Sequence, residues 1–227
     1  MPPSTMAART QGHFSASKLD AVRGEKKLFS GLDFNLPPGG ALVLTGPNGS
    51  GKSSLLRLMA GFGRPVAGHF AWNGADIARD AEAHRARLHY VGHQDGLKPA
   101  LTVAETLRFW AALAGSPLAD PAAALAPLGL AGLAQTPCRF LSSGQRRRLA
   151  LSRLSVRFAP LWLLDEPAVG LDLAALAALS ALIARHRAAG GSVVLSTHQG
   201  IELDRTLTLS LADFPWLRSQ DHTELGW

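Results

Sequence analysis

Four short apolar runs punctuate the chain, at 41–44 (ALVL), 88–91 (LHYV), 161–164 (LWLL) and 193–196 (VVLS). They alternate with longer helical stretches, the pattern of a mostly parallel α/β sheet whose chemistry collects at strand ends. Between about Gln94 and Leu141 the strands stop and Ala/Leu-rich text takes over, with prolines at 99, 117, 121, 127 and 137. This predicts an inserted helical lobe. One of its helices has a readable start, because Thr102 and Glu105 form a capping box ahead of LRFWAALA. Phe109 and Trp110 on that helix read as packing residues. Residues 1–17 lack an apolar signal core and read as a disordered leader, with Met6 as an alternative start and a transit peptide as a second reading. Residues 18–227 then form one domain, with its core in 18–93 and 157–227 and its helical subdomain at about 94–156. No repeat or coiled-coil heptad run is present.

The run ALVLT leads into GPNGSGKSS, which fits the spacing G-x-x-x-x-G-K-[ST] through Gly46, Gly51, Lys52 and Ser53. Glycine tolerates backbone angles closed to other residues, so the N–H groups along Gly46, Pro47, Asn48, Gly49, Ser50, Gly51 and Ser54 can turn toward one anion. Proline supplies no N–H and only shapes the loop. A helix starting near Gly51 adds the positive end of its dipole. Lys52 can reach the β- and γ-phosphates, and the Ser53 hydroxyl can complete the shell of a bound Mg²⁺. The bland alternative is a glycine turn beside a surface lysine.

Two further stretches carry chemistry. LWLLDEP ends an apolar strand in two carboxylates: Asp165 is placed to act on Mg²⁺, and Glu166, one residue on, to orient or deprotonate an attacking water. In LSSGQRRRLALSRL, Ser142 and Gln145 form a second capping box, opening a helix whose Leu149, Leu151 and Leu154 suit burial.

Composition adds limits. The chain has 227 residues, 47% of them hydrophobic, enough for one domain or two small lobes. No apolar run approaches the roughly 20 residues that cross a bilayer. The single cysteine, Cys138, makes no internal disulfide, which agrees with a reducing cytosol. The net charge of +6 is uneven: no Asp or Glu lies between Asp120 and Asp165, where Arg139, Arg146, Arg147, Arg148, Arg153 and Arg157 all fall. Such a block either faces phosphates, an anionic membrane surface or nucleic acid, or forms a solvated helix face.

L-S-x-G-Q at 141–145 resembles the signature motif of the ATP-binding cassette ATPases. The resemblance covers nearly everything from about Lys18 to Leu211 and implies a P-loop NTPase (RecA-like) core of ABC ATPase type with an inserted α-helical subdomain. It also implies ATP as substrate, Mg²⁺ as its metal, and a sandwich of two copies in which Ser142, Gly144 and Gln145 of one close over nucleotide in the cradle of the other. Gln94, in VGHQDG, resembles the glutamine that senses Mg²⁺ and the membrane partner; VGLD at 169–172 resembles the D-loop; His198 occupies the place of the histidine that bonds the γ-phosphate. Where the family stacks an aromatic ring on adenine, this chain has Arg23, whose guanidinium plane can also stack on a base. Ser143 replaces the commoner glycine of the signature, and Gly170 stands where the D-loop often has alanine.

The G-H-Q around Gln94, followed by G-x-K-x-x-L-T-x-x-E-x-L, resembles in particular the ATPases of cytochrome c maturation. That implies a membrane subunit of the same complex as partner, further maturation subunits beyond it, and work at the cytoplasmic face of the bacterial inner membrane. No residue is assigned to haem; His93 reads as a strand-end histidine and not as an axial ligand. Alternatives are a transporter ATPase with another cargo or a soluble, non-transport cassette ATPase. The soluble kinds carry tandem cassettes or long coiled coils, which this chain lacks, so no nucleic acid partner is expected.

Overall fold

The four apolar runs lie side by side. In the computed structural model, which describes residues 12–116, 118–197, 201 and 203–216, the chain begins with β1 (Phe14–Arg23), β2 (Lys26–Leu36), β3 (Ala41–Thr45), α1 (Lys52–Met59), β4 (Ala67–Trp72), β5 (Ala75–Asp76), α2 (Ala81–Ala86) and β6 (Leu88–Val91). It continues through α3 (Val103–Leu113), α4 (Pro121–Leu125), α5 (Ser143–Ser152), β7 (Leu161–Asp165), α6 (Leu173–Ala188), β8 (Ser192–Ser196) and β9 (Thr206–Ser210). One sheet is parallel, in the order β6-β7-β8-β3-β9. A second, antiparallel sheet has the order β2-β1-β4-β5.

The apolar runs read as they do because their sheet is covered on both sides. Along β7, Leu161 and Leu163 enter the core shared with α1 and the antiparallel sheet, and the alternate residues Trp162 and Leu164 enter the core under α6. The parallel strands all end at one edge, and there the chain passes from Thr45 into the glycine loop, from Val91 into the loop carrying Gln94, and from Asp165 to Glu166.

The antiparallel sheet is not anticipated by the apolar runs. Its strands alternate buried with exposed residues and carry register shifts, so they lack a continuous apolar signal. One boundary needs correction. β1 starts at Phe14, inside the stretch 1–17 read as a leader, because Phe14 is fully buried with its ring 5.5 Å from Phe34 and 5.9 Å from Phe70. β9 is also added, pairing with β3 at the edge of the parallel sheet.

Residues Val103, Leu107, Leu125, Cys138, Leu141 and Leu149 form a separate core for the helical segment. Both predicted capping boxes are present, at Thr102/Glu105 and Ser142/Gln145. Helix α5 straddles two cores: Leu149 packs into the lobe, while Ala150 and Leu151 pack under the parallel sheet.

Three histidines are buried as neutral rings. His84 Nε2 lies 2.7 Å from the Met59 carbonyl, His89 Nε2 3.2 Å from that of Arg157, and His186 stacks on Trp162 at 3.7 Å. A carbonyl only accepts, so Nε2 of His84 and of His89 donates. Burial, aided by the Arg157 charge, pushes His89 down to about 3; burial takes His186 to about 4 and lowers His84. In the unfolded chain each binds a proton near pH 6.5. Between that pH and the folded values the unfolded state therefore holds more protons, and stability falls as pH falls. We expect the melting temperature to drop steadily from pH 7 to pH 5, above the range of ordinary carboxylates, and His89→Gln to flatten that drop. Equal melting temperatures at pH 7 and pH 5 would contradict these assignments.

Candidate functional site: a phosphate cradle at the edge of the parallel sheet

The loop after β3 has the shape its glycines predict. Gly46, Gly49 and Gly51 have φ of 130°, 78° and 109°, a region that L-residues rarely occupy. A Cβ on Gly51 would also lie 3.3 Å from that of Leu28. Gly51 opens α1 without a side-chain cap, so the first N–H groups of the helix stay available. Lys52 is buried, its Nζ donating to the carbonyls of Gly46 at 2.7 Å and Pro47 at 3.2 Å. Ser50 Oγ is buried with no hydrogen-bond partner among the described residues. A loop with open donors, an ammonium at its mouth and an unused hydroxyl fits a polyphosphate.

On the neighbouring strand ends, Asp165 Oδ1 accepts from Ser53 Oγ at 3.0 Å and from Ser196 Oγ at 2.7 Å. Register explains the second contact, since Asp165 and Ser196 are paired in β7 and β8. A buried carboxylate beside a hydroxyl at the foot of the cradle is an oxygen donor set suited to Mg²⁺. Glu166 leaves the strand with φ of 47°, an uncommon backbone for a non-glycine residue. Its N–H is held by Ser196, at 3.0 Å from Oγ and 3.2 Å from the carbonyl. Glu166 lines a cleft of about 530 Å³, together with Arg23, Asn48, Gly49, Lys52, Ser53 and Ser54. An adjoining cleft of about 900 Å³ brings Gln94 and Asp165 together with Arg23, Ser53 and Ser54. His93 is exposed and lines both.

ABC transporter is the family that matches, over residues 29–169. The chain is 55% identical over 201 residues to the cytochrome c biogenesis ATP-binding export protein CcmA of Rhodospirillum rubrum, covering 88% of this chain and 86% of that protein. With the protein of the same name from Paramagnetospirillum magneticum it shares 54% over 206 residues, covering 88% and 94%. The chain belongs to the ABC transporter family. Among solved structures, a putative ABC transporter ATP-binding protein from Pyrococcus furiosus superposes with a TM-score of 0.78 at 21% identity, over 89% of this chain and 98% of that one. The cbiO1 protein of Clostridium perfringens, described as part of the ABC transporter complex cbiONQ, does so at 0.69 and 23%, over 82% and 78%. These two likenesses concern the fold.

The signature residues stand apart from the cradle of their own chain. Ser142, Gly144 and Gln145 line neither cleft; they form the start of α5, where Ser142 Oγ accepts from Gln145 N at 3.2 Å and Gln145 Oε1 accepts from Ser142 N at 2.8 Å. Gly144 is required by contact: a Cβ there would lie 2.8 Å from the Gly170 carbonyl. Asp172 of VGLD caps α6 by accepting from Ala175 N at 2.7 Å. His198 lies outside the described residues. Among the described residues, no helix is long and apolar enough to cross a membrane.

In the arginine block, Arg153 lines the cleft of about 900 Å³, and backbone carbonyls take up most of the rest. Five of its six guanidiniums donate to backbone carbonyls: Arg146 to Leu141, Arg147 to Gly92, Asp165 and Glu166, Arg148 to Leu128, Arg153 to Tyr90, and Arg157 to Leu88 and Phe158. Arg139 is exposed, over the Phe140 ring at 4.7 Å. The block is mostly internal stitching. Acidic partners are missing from the sequence there because carbonyl oxygens take their place.

Sequence reasoning also passes over Lys26 and Ser196. Lys26, at the start of β2, donates to the Gly49 carbonyl at 2.9 Å and so ties the crest of the phosphate loop to the antiparallel sheet. Nothing local marks either residue, since each acts across a tertiary contact. Ser196→Ala removes one of the two hydroxyls on Asp165 Oδ1 and a bond to Glu166 N. We expect it to destabilise the fold by about 1–3 kcal/mol and to lower ATP turnover. Turnover and urea midpoint both equal to the parent would contradict the geometry.

Proposed function

We propose that this chain is the ATP-hydrolysing subunit of a membrane transporter of c-type cytochrome biogenesis, coupling hydrolysis to haem export or to release of a haem-loaded chaperone. The observation that carries this reading is the 55% identity to a CcmA protein over 88% of the chain, joined to an intact phosphate cradle. In the proposed mechanism the 46–54 loop and Lys52 bind the phosphates and Arg23 meets the base. Ser53, Asp165 and Gln94 would hold Mg²⁺, which when bound offsets negative charge on the phosphates. The Glu166 carboxylate takes a proton from the attacking water as it adds to the γ-phosphorus; the bond to the β,γ-bridging oxygen breaks, leaving ADP and phosphate. His198 is assigned the γ-phosphate contact.

The signature lines neither cleft of its own chain, which supports a sandwich of two copies, each closing the other's site with Ser142, Gly144 and Gln145. Such a clamp relaxes on hydrolysis and passes its motion to a CcmB-like membrane subunit and the further maturation subunits. The chain would sit peripherally at the cytoplasmic face of the inner membrane. Haem is handled by those partners and not bound directly. Nucleic acid is no part of this reading, since the arginines that invited it are engaged with carbonyls.

Affinity purification from a bacterium making c-type cytochromes should recover the membrane subunits of cytochrome c maturation; recovery of an unrelated permease would refute the cargo. Glu166→Gln should keep ATP binding and accumulate a closed dimer with turnover reduced at least a hundredfold, whereas Lys52→Ala should lose binding itself. Wild-type turnover in Glu166→Gln would remove Glu166 from the role of base.

A further inference from the structure

Arg147 is the middle arginine of a triplet that reads as surface, yet it is 5% exposed. Its two terminal nitrogens make four contacts. Nη1 donates to the Gly92 carbonyl at 2.8 Å and to Asp95 Oδ1 at 3.2 Å; Nη2 donates to the carbonyls of Asp165 at 2.7 Å and Glu166 at 2.8 Å. Two hydrogens on each nitrogen meet two acceptors, so the orientation of the plane is fully determined. The pair with Asp95 is the one salt bridge found among the described residues.

These acceptors have a pattern. Gly92 and Asp95 bracket Gln94 on both sides, so the guanidinium fixes the loop that presents it. The other two acceptors are the carbonyls of the two peptides on either side of the Glu166 Cα. Glu166 has a left-handed backbone with φ of 47°. Its N–H is already held by Ser196, and Arg147 holds its carbonyl. Both ends of the residue are thereby clamped, and the direction of its side chain follows. Arg147 itself rides on α5, the helix whose first residues are the signature and whose packing joins the lobe to the sheet.

We infer that Arg147 is a positioning residue for hydrolysis, locking the Glu166 backbone and the Gln94 loop to the signature helix so that the three move as one body. This rests on the reading of Glu166 as the base. A displacement of α5, whether by a second copy closing over the signature or by a partner pressing on the lobe, then changes the aim of the carboxylate directly. Lysine cannot replace it: an ammonium offers three hydrogens from a single point and cannot span four acceptors arranged around a planar fork.

The test is steady-state ATP hydrolysis and equilibrium ATP binding by the full chain carrying Arg147→Lys, with melting temperature measured alongside. The expected result is a kcat at least tenfold below the parent, with the Kd for ATP within about twofold, because the cradle and Lys52 are untouched. A merely structural role would give a kcat within about twofold of the parent at temperatures where the variant stays folded, and that result overturns the inference. So does a parallel rise in Kd. Asp95→Asn covers the case in which Arg147→Lys does not fold, since it leaves all three carbonyl contacts in place. It should lower kcat threefold or more at unchanged Kd, and parental kcat would overturn the inference. Glu166→Gln separates the two readings. If it turns over normally, the assignment of the base fails; if it is inactive while Arg147→Lys matches the parent, only the role of Arg147 fails.

Discussion

A single carboxylate oxygen organises the nucleotide edge of this protein. Asp165 Oδ1 accepts one hydroxyl hydrogen from the start of α1 and another from the end of β8. Three segments far apart in sequence are thereby gathered at one point, and the phosphate loop is placed over it. The carboxylate is 2% exposed, where an unpaired charge would be costly. Both hydroxyls point inward because parallel strands bring their carboxyl ends to the same edge, the general location of ligand sites in open α/β sheets.

Around that point the structure favours fixed backbone over mobile side chains. Lys26 ties down the crest of the loop, Ser196 holds the Glu166 N–H, and Arg147 holds its carbonyl. A residue in a left-handed backbone conformation persists when its surroundings over-determine it, and here hydrogen bonds on both sides do so. Carbonyl oxygens are well suited to receive these arginines. They are partial charges already present in the fold, and beside them Arg147 takes one carboxylate, that of Asp95.

The phosphate loop and the signature stretch also stand on different parts of the fold. The glycine loop, Asp165 and Glu166 sit at the edge of the parallel sheet, whereas Ser142, Gly144 and Gln145 sit at the tip of a helix whose packing belongs half to the lobe and half to the core. Membership of the ABC transporter family rests on sequence matched across most of the chain, and the solved structures add agreement of fold at low identity.

Much of this was legible locally. The glycine spacing, the apolar strand ending in Asp165 and Glu166, and the two capping boxes each depend on residues a few positions apart, so the sequence alone determined them. The apolar runs also revealed the parallel sheet, since a strand buried on both faces needs hydrophobic side chains throughout. What tertiary structure decided were the long-range partners. The antiparallel sheet, with its interrupted alternation, carries no continuous signal, and Phe14 belongs to it only through aromatic neighbours, Phe34 and Phe70, on strands distant in sequence. The arginine triplet could not be read by charge counting, because apart from Asp95, some fifty residues away, its partners are backbone carbonyls, which every residue carries and no sequence distinguishes.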